Sequence, residues 1–139
     1  MAKRPTHRLA AVVMAAGKGK RLKSRMPKVL HPICGRPILW HVLRALRAVR
    51  PETVAVVVGH QGDEVEQAVR SWDLPLPIAF IDQREPLGTG HAVMAAEDAV
   101  RATEDVVVLS GDEPLVTGDQ LREMLRLHRR RSAAGARET

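Results

Sequence analysis

The sequence predicts an α/β fold of three layers, with helices on both faces of a mainly parallel sheet. Three observations carry that expectation. Short β-branched runs alternate with helical patterns along the chain. Those runs are apolar almost throughout rather than at every second residue, as strands covered on both faces are. Strand–helix alternation of this kind closes into right-handed βαβ crossovers. At 139 residues, the chain fits one domain with a core of its own.

The first strand is expected over residues 9–15, L-A-A-V-V-M-A, and the second over 54–58. The third spans 78–81 and the fourth 106–109, each bounded by polar, Gly or Pro positions. The first helix starts at Pro37, a good first-turn residue, with Leu39, Val42, Leu43 and Leu46 on one stripe. The second follows Asp63, with Val65, Ala68, Val69 and Trp72 at helical spacing. The third runs from about Gly88 to Arg101 and buries Ala92, Val93, Ala96 and Val100. The fourth opens on a capping box, Thr117 with Gln120, and carries Leu121, Met124, Leu125 and His128 inward. Residues 1–8 form an N-terminal tail, 9–131 the folded part, and 132–139 a flexible tail.

Composition narrows the function classes. Cys34 is the single cysteine, so no internal disulfide forms; it is expected to pack near the start of the first helix. The net charge is +6, with all five lysines at or before Lys28. Such a balance can attract nucleic acid. With no Tyr, and Phe80, Trp40 and Trp72 the only aromatics of the Phe/Trp/Tyr class, stacking platforms are scarce and nucleic acid is not expected as a partner. Arg129, Arg130 and Arg131 are read as a solvated helix end that complements the helix dipole. Residues 1–16 mimic a short secretory signal, but the apolar stretch is brief and a dense cationic loop follows directly. A cytoplasmic chain without membrane association is therefore expected, and no apolar run approaches membrane-spanning length.

The loop after the first strand, G-K-G-K-R-L-K-S-R-M-P-K, gathers six basic side chains between Lys18 and Lys28. Glycine lets backbone N–H groups approach a ligand closely, and the cations suit a polyphosphate. It is not a Walker A loop, and it is not a G-x-G-x-x-G fingerprint, because Leu22 stands where either needs its last glycine. Two more loops follow strands and should open on the same sheet edge: residues 83–91, Q-R-E-P-L-G-T-G-H, and residues 110–115, S-G-D-E-P-L. In the former, Gln83 and Thr89 offer donors and acceptors for a nucleobase edge. In the latter, Asp112 sits where a carboxylate can hold Mg²⁺ against phosphates. His31 and His91 are read as packing residues.

The loop A-A-G-K-G-K-R, the run P-K-V-L-H, the segment Q-R-E-P-L-G-T-G-H-A-V and the turn S-G-D-E-P-L occur in one order. In that order and spacing they resemble the uridylyltransferase (pyrophosphorylase) domain of the bacterial bifunctional N-acetylglucosamine-1-phosphate uridylyltransferase / glucosamine-1-phosphate acetyltransferase. The resemblance covers nearly all of residues 9–127. It implies a Rossmann-like nucleotidyltransferase fold, incomplete at its C-terminus in this chain. It also implies UMP transfer from UTP to N-acetylglucosamine-1-phosphate with Mg²⁺, giving UDP-N-acetylglucosamine, a cell-wall precursor, and pyrophosphate.

Residue by residue, the resemblance implies that Ala15, Ala16 and Gly17 meet the uridine part of UTP. Arg21 binds the triphosphate and Lys28 a phosphate, as the catalytic cations. Gln83, Gly88 and Thr89 read uracil, Gly111 borders the substrate, and Asp112 ligates the metal. Lys20 stands where a small hydroxyl residue is usual, and Pro86 replaces a customary glutamine, removing an N–H beside the base.

The family's domain continues well past the fourth helix, and that part carries most sugar contacts and a second metal ligand. The 139-residue chain is therefore expected to bind UTP·Mg²⁺ weakly and to make little UDP-sugar. The alternatives are a non-catalytic nucleotide-binding fragment, or another NTP transferase of molybdopterin or other sugar-phosphate type. The sequence sets no oligomeric state.

Overall fold

The computed structural model describes residues 8–17, 25–85 and 87–138, the side chains of 136–138 excepted. Arg21, Lys20 and Pro86, on which the sequence reading leaned, lie outside the described residues.

A four-stranded sheet in the order β5-β4-β1-β6 forms the middle layer. Its strands are β1 (Leu9–Met14), β4 (Thr53–Val58), β5 (Ile78–Asp82) and β6 (Asp105–Ser110), all parallel. Val12 is the register pin: it lies between Ala55 of β4 and Val108 of β6. The helices are α1 (Ile38–Leu46), α2 (Gly62–Ser71), α3 (Thr89–Ala95), α4 (Glu97–Val100) and α5 (Gly118–Glu138).

One sheet face presents Leu9, Ala11, Val13, Val54 and Val56 to Leu39, Leu43 and Leu46 of α1, Val65 and Val69 of α2, and Leu121 and Leu125 of α5. The other face presents Val12, Ala55 and Val57 to Ala92 and Ala96, with Ala99 and Val100 at the margin. Each fully buried Val or Leu contributes about 1.5–3 kcal/mol. A surface ion pair such as Arg70–Glu66 contributes about 0–1 kcal/mol. Apolar packing, not the charged surface, therefore dictates the three layers.

Several expectations need correction. The strands are not all covered on both faces: in β6 Asp105 and Val107 are buried while Val106 and Val108 are exposed. The reason is coverage, since α3 and α4 pack chiefly over β1 and β4. The third helix is two pieces, broken at the buried Ala96 (φ −90°, ψ 0°).

Met124 and His128 are exposed, not inward, because α5 touches the core only along the narrow line of Leu121 and Leu125. That helix runs on to Glu138, where the sequence reading placed a tail from Ser132. Ser132, Ala133 and Ala134 carry no helix breaker, so nothing stops the helix there. Arg129 to Arg131 thus lie mid-helix rather than at its end, and Arg129 Nε donates to the buried Asp105 at 2.8 Å. The capping box forms as read: Gln120 N donates to Thr117 Oγ1 at 3.1 Å and Thr117 N to Gln120 Oε1 at 3.0 Å.

One small element escaped the sequence reading. β2 (Pro32–Ile33) and β3 (Arg36–Pro37) pair antiparallel around Cys34 and Gly35. Both turn residues have positive φ, 51° and 80°, as a two-residue hairpin turn requires. Cys34 is accordingly exposed at a turn, not packed under a helix.

Candidate functional site

The carboxyl ends of β1, β5 and β6 leave the sheet at one edge, because all their neighbours run parallel. Between the loops that follow them lies a cleft of about 280 Å³. Ala16 and Gly17 line it from the first loop, Lys28 and Val29 from the next turn, Gln83, Gly88 and Thr89 from the loop after β5, and Ser110 and Asp112 from the loop after β6.

Each contributor is positioned by a local cause. The run P-K-V-L-H makes a 3-10 turn, Lys28–Leu30, closed by Leu30 N donating to Pro27 O at 3.0 Å. Val29 is sunk into the core and anchors the turn, which leaves Lys28 half-exposed at the cleft. Gly111 draws the end of β6 against the end of β1: its N–H donates to Met14 O at 2.8 Å. A Cβ at that position would stand 2.8 Å from the same oxygen and 3.3 Å from Val29 Cγ1. Only glycine permits that approach, and the approach brings Asp112 to Lys28.

The resulting pair is the electrostatic centre of the cleft. Lys28 Nζ lies 2.7 Å from Asp112 Oδ2, and the Ser110 hydroxyl donates to Asp112 Oδ1. The Lys28 ammonium first, and the Ser110 hydroxyl next, hold the Asp112 carboxyl below the usual aspartate range. The carboxylate is thus ionised at neutral pH, as a cation ligand must be.

Across the cleft Gln83 continues the β4 ladder, its N–H donating to Val58 O at 2.8 Å, and its side chain is buried. Nε2 donates to Gly88 O at 3.2 Å and to His91 Nδ1 at 3.0 Å. The Gly88 carbonyl can only accept, which identifies this atom as the amide NH₂, makes His91 Nδ1 an acceptor and leaves Oε1 to accept a donor. Gly88 has φ 99° and ψ −179°, a conformation open essentially to glycine alone. Its carbonyl also receives Ala92 N at 3.1 Å, starting α3.

Most residues singled out in the sequence therefore meet in one cleft. Ala15 and Gly111 do not line it. Ala15 is buried with its N–H on Val57 O at 2.8 Å, and Gly111 is buried in contact with the Met14 backbone. Ser110 and His91 were missed as contributors: both stood inside the quoted motifs, but nothing in spacing alone said that Ser110 orients Asp112 or that His91 holds Gln83. His31 Nε2 is buried and without a hydrogen-bond partner among the described residues.

Among the described residues, no group of three or more His, Cys, Asp or Glu side chains is placed to hold a metal ion. Asp112 fits instead a hard cation that brings other ligands with it: Mg²⁺ is commonly held by one or two carboxylates together with water and substrate phosphates. No helix among the described residues is long and apolar enough to cross a membrane.

Comparisons with known proteins bear on family and fold. The model of the MobA-like NTP transferase domain matches residues 11–138. The bifunctional protein GlmU of Ralstonia pickettii is 52% identical over 87 residues, which are 63% of this chain and 18% of that protein. GlmU of Thermus thermophilus is 48% identical over 88 residues, again 63% and 18%. The chain thus spans less than a fifth of the curated relatives it matches. Among solved structures, the 4-diphosphocytidyl-2C-methyl-D-erythritol synthase of Anaerococcus prevotii has a TM-score of 0.71 at 14% identity, covering 88% of this chain and 52% of that one. Identity that low speaks for the fold alone.

Proposed function

This chain belongs to the MobA-like NTP transferase domain family, and from that premise we propose that its cleft is the nucleotide half of a UTP-dependent sugar-phosphate uridylyltransferase. The observation that carries the reading is the Lys28–Asp112–Ser110 cluster facing Gln83, Gly88 and Thr89 across one cleft. It offers a phosphate cation and a metal carboxylate on one wall and a base-reading amide on the other. UTP and N-acetylglucosamine-1-phosphate are the substrates that the motif resemblance implies, and the 52% identity to GlmU of Ralstonia pickettii over the N-terminal part of this chain is in line with that resemblance.

The reaction is attack by the sugar-1-phosphate oxygen on the α-phosphorus of UTP. A phosphorus–oxygen bond forms there, the α–β bridge bond breaks, and pyrophosphate leaves. Such transfer needs positioning and neutralisation more than covalent help from the protein. Lys28 neutralises phosphate charge, and Arg21 carries over from the sequence as the second triphosphate cation. Gln83 Oε1 accepts from the uracil imide N–H, an interaction a cytosine ring nitrogen without hydrogen cannot make. Gly88 and Thr89 close the base side. Asp112 and Ser110 hold the place for Mg²⁺, which when bound lowers the negative charge of the phosphates.

Calorimetric titration with UTP, CTP and GTP in Mg²⁺ tests the reading, with UTP expected to bind tightest. A preference for GTP would favour the molybdopterin-type alternative that the family description admits. Pyrophosphate release from UTP and N-acetylglucosamine-1-phosphate then measures how much turnover this chain supports.

A further inference from the structure

Both oxygens of Asp112 are already engaged within the chain: Oδ2 by the Lys28 ammonium at 2.7 Å and Oδ1 by the Ser110 hydroxyl. A divalent cation on this carboxylate would have to share it with an ammonium in direct contact. Two like charges so close on one anion repel each other strongly, more so beside a cleft wall than in bulk water. Among the described residues, no group of three or more His, Cys, Asp or Glu side chains is assembled there to outweigh that repulsion. Lys28, however, is a half-exposed flexible stem at the cleft mouth, able to turn toward another anion.

We propose that Lys28 is a built-in counter-ion that blocks the cation position on Asp112, and that an incoming polyphosphate draws it off, so that nucleotide and metal bind with strong positive coupling. The proposal rests on the nucleotide reading above and adds an order to it. The phosphate gives Lys28 a new partner and supplies the oxygen ligands that one carboxylate cannot. Ser110 keeps its hydroxyl on Oδ1 throughout and acts as a positioning residue, holding the carboxylate plane while the other oxygen changes partner. Coupling of this kind is reciprocal: the metal strengthens nucleotide binding by the same factor by which nucleotide strengthens metal binding. The site stays closed to free divalent ions until substrate arrives.

The test is Mn²⁺ binding without nucleotide, followed by the electron paramagnetic resonance signal of the free ion. The panel is the wild-type chain with Lys28→Met, Lys28→Gln, Asp112→Asn and the Lys28→Met/Asp112→Asn double variant, each first shown to be folded by a cooperative circular dichroism melt. Removing the ammonium is expected to tighten Mn²⁺ binding by about tenfold or more, a typical scale for a hydrogen bond to a charged group. The gain should appear in both Lys28 variants and vanish in the double variant. The same Lys28 variants should bind UTP·Mg²⁺ more weakly, an opposite sign that a merely structural lysine would not give. Equal Mn²⁺ affinity in wild type and both Lys28 variants, with UTP·Mg²⁺ still bound by wild type, would overturn the block and leave the nucleotide reading standing. Failure of the wild type to bind UTP·Mg²⁺ at all would overturn both.

Discussion

Gly111→Ala should be among the most damaging single-methyl changes at the cleft, and its size follows from the geometry. The added Cβ would stand 2.8 Å from Met14 O, whereas carbon–oxygen contacts settle at about 3.3 Å or more. The ends of β1 and β6 must therefore part by roughly 0.5 Å, which stretches the Gly111–Met14 hydrogen bond from 2.8 Å to the limit of useful geometry. The obstacle is backbone, held in two ladders, and Val29 and Leu39 close the other directions at 3.3 and 3.4 Å. Overpacking of this kind costs about 1–3 kcal/mol, a fall in melting temperature of roughly 3–12 °C for a domain of this size. Thermal unfolding by circular dichroism reads it. Gly90→Ala is the internal contrast, since nothing lies within 4 Å of its Cβ and it sits in the first turn of α3. It should stabilise by about 0.4–1 kcal/mol. A Gly111→Ala variant that melts at or above wild type would refute the close-approach argument.

Three other expectations concern the cleft itself. Gln83→Leu removes the donor to Gly88 O and His91 Nδ1; leaving His91 Nδ1 without that partner and Gly88 O with Ala92 N alone should cost about 1–3 kcal/mol in stability, and calorimetry should find uridine nucleotide binding weakened while inorganic triphosphate binding is retained. Gly88→Ala keeps its space but not its backbone, because the glycine sits at φ 99° with nothing within 4 Å; strain of about 1–3 kcal/mol should lower the melting temperature, and an unchanged melt would exclude that strain. Asp112 is held below its unfolded pKa near 3.8 by Lys28 and then Ser110, so its contribution to stability is present above that value and lost as pH falls through and below it. Because the partners are 41% and 31% exposed, the contribution is about 1 kcal/mol or less. The melting-temperature advantage of wild type over Asp112→Asn should shrink on acidification; an advantage that grows would reverse the sign of the argument.

The parts of the fold that were readable in the sequence are those where period and packing coincide. Leu39, Val42, Leu43 and Leu46 sit at helical spacing and all become fully buried, so pattern alone located α1. Thr117 and Gln120 announced the start of α5 for the same reason: a local hydrogen-bond exchange needs no tertiary help. Where neighbours decide, the pattern misled. Val106 and Val108 look like a strand covered on both faces, but how far α3 and α4 extend across the sheet is not written in β6. Met124 completes an apolar stripe on paper, yet α5 lies so that only Leu121 and Leu125 touch the core. Cys34 and Gly35 form a turn whose positive φ values could have been suspected from the glycine, though not from the cysteine.

The candidate site divides along the same line. Lys28, Gln83, Gly88, Thr89 and Asp112 could be named from motifs, because a strand-following loop must open on the carboxyl edge of a parallel sheet. That Lys28 and Asp112 would meet at 2.7 Å could not be read from residues 84 positions apart. It depends on Gly111 pulling β6 against β1 and on Val29 anchoring the lysine's turn, two contacts that exist only once the sheet is assembled.

The central claim is that this cleft takes a uridine nucleotide together with Mg²⁺. The most direct measurement is backbone amide chemical-shift mapping by NMR during titration with UTP·Mg²⁺. Saturable shifts are expected at Gly17, Lys28, Gln83, Gly88, Thr89, Ser110 and Asp112, with the exposed arginines of α5 unmoved. Shifts confined to those arginines, or none at millimolar UTP·Mg²⁺, would contradict it.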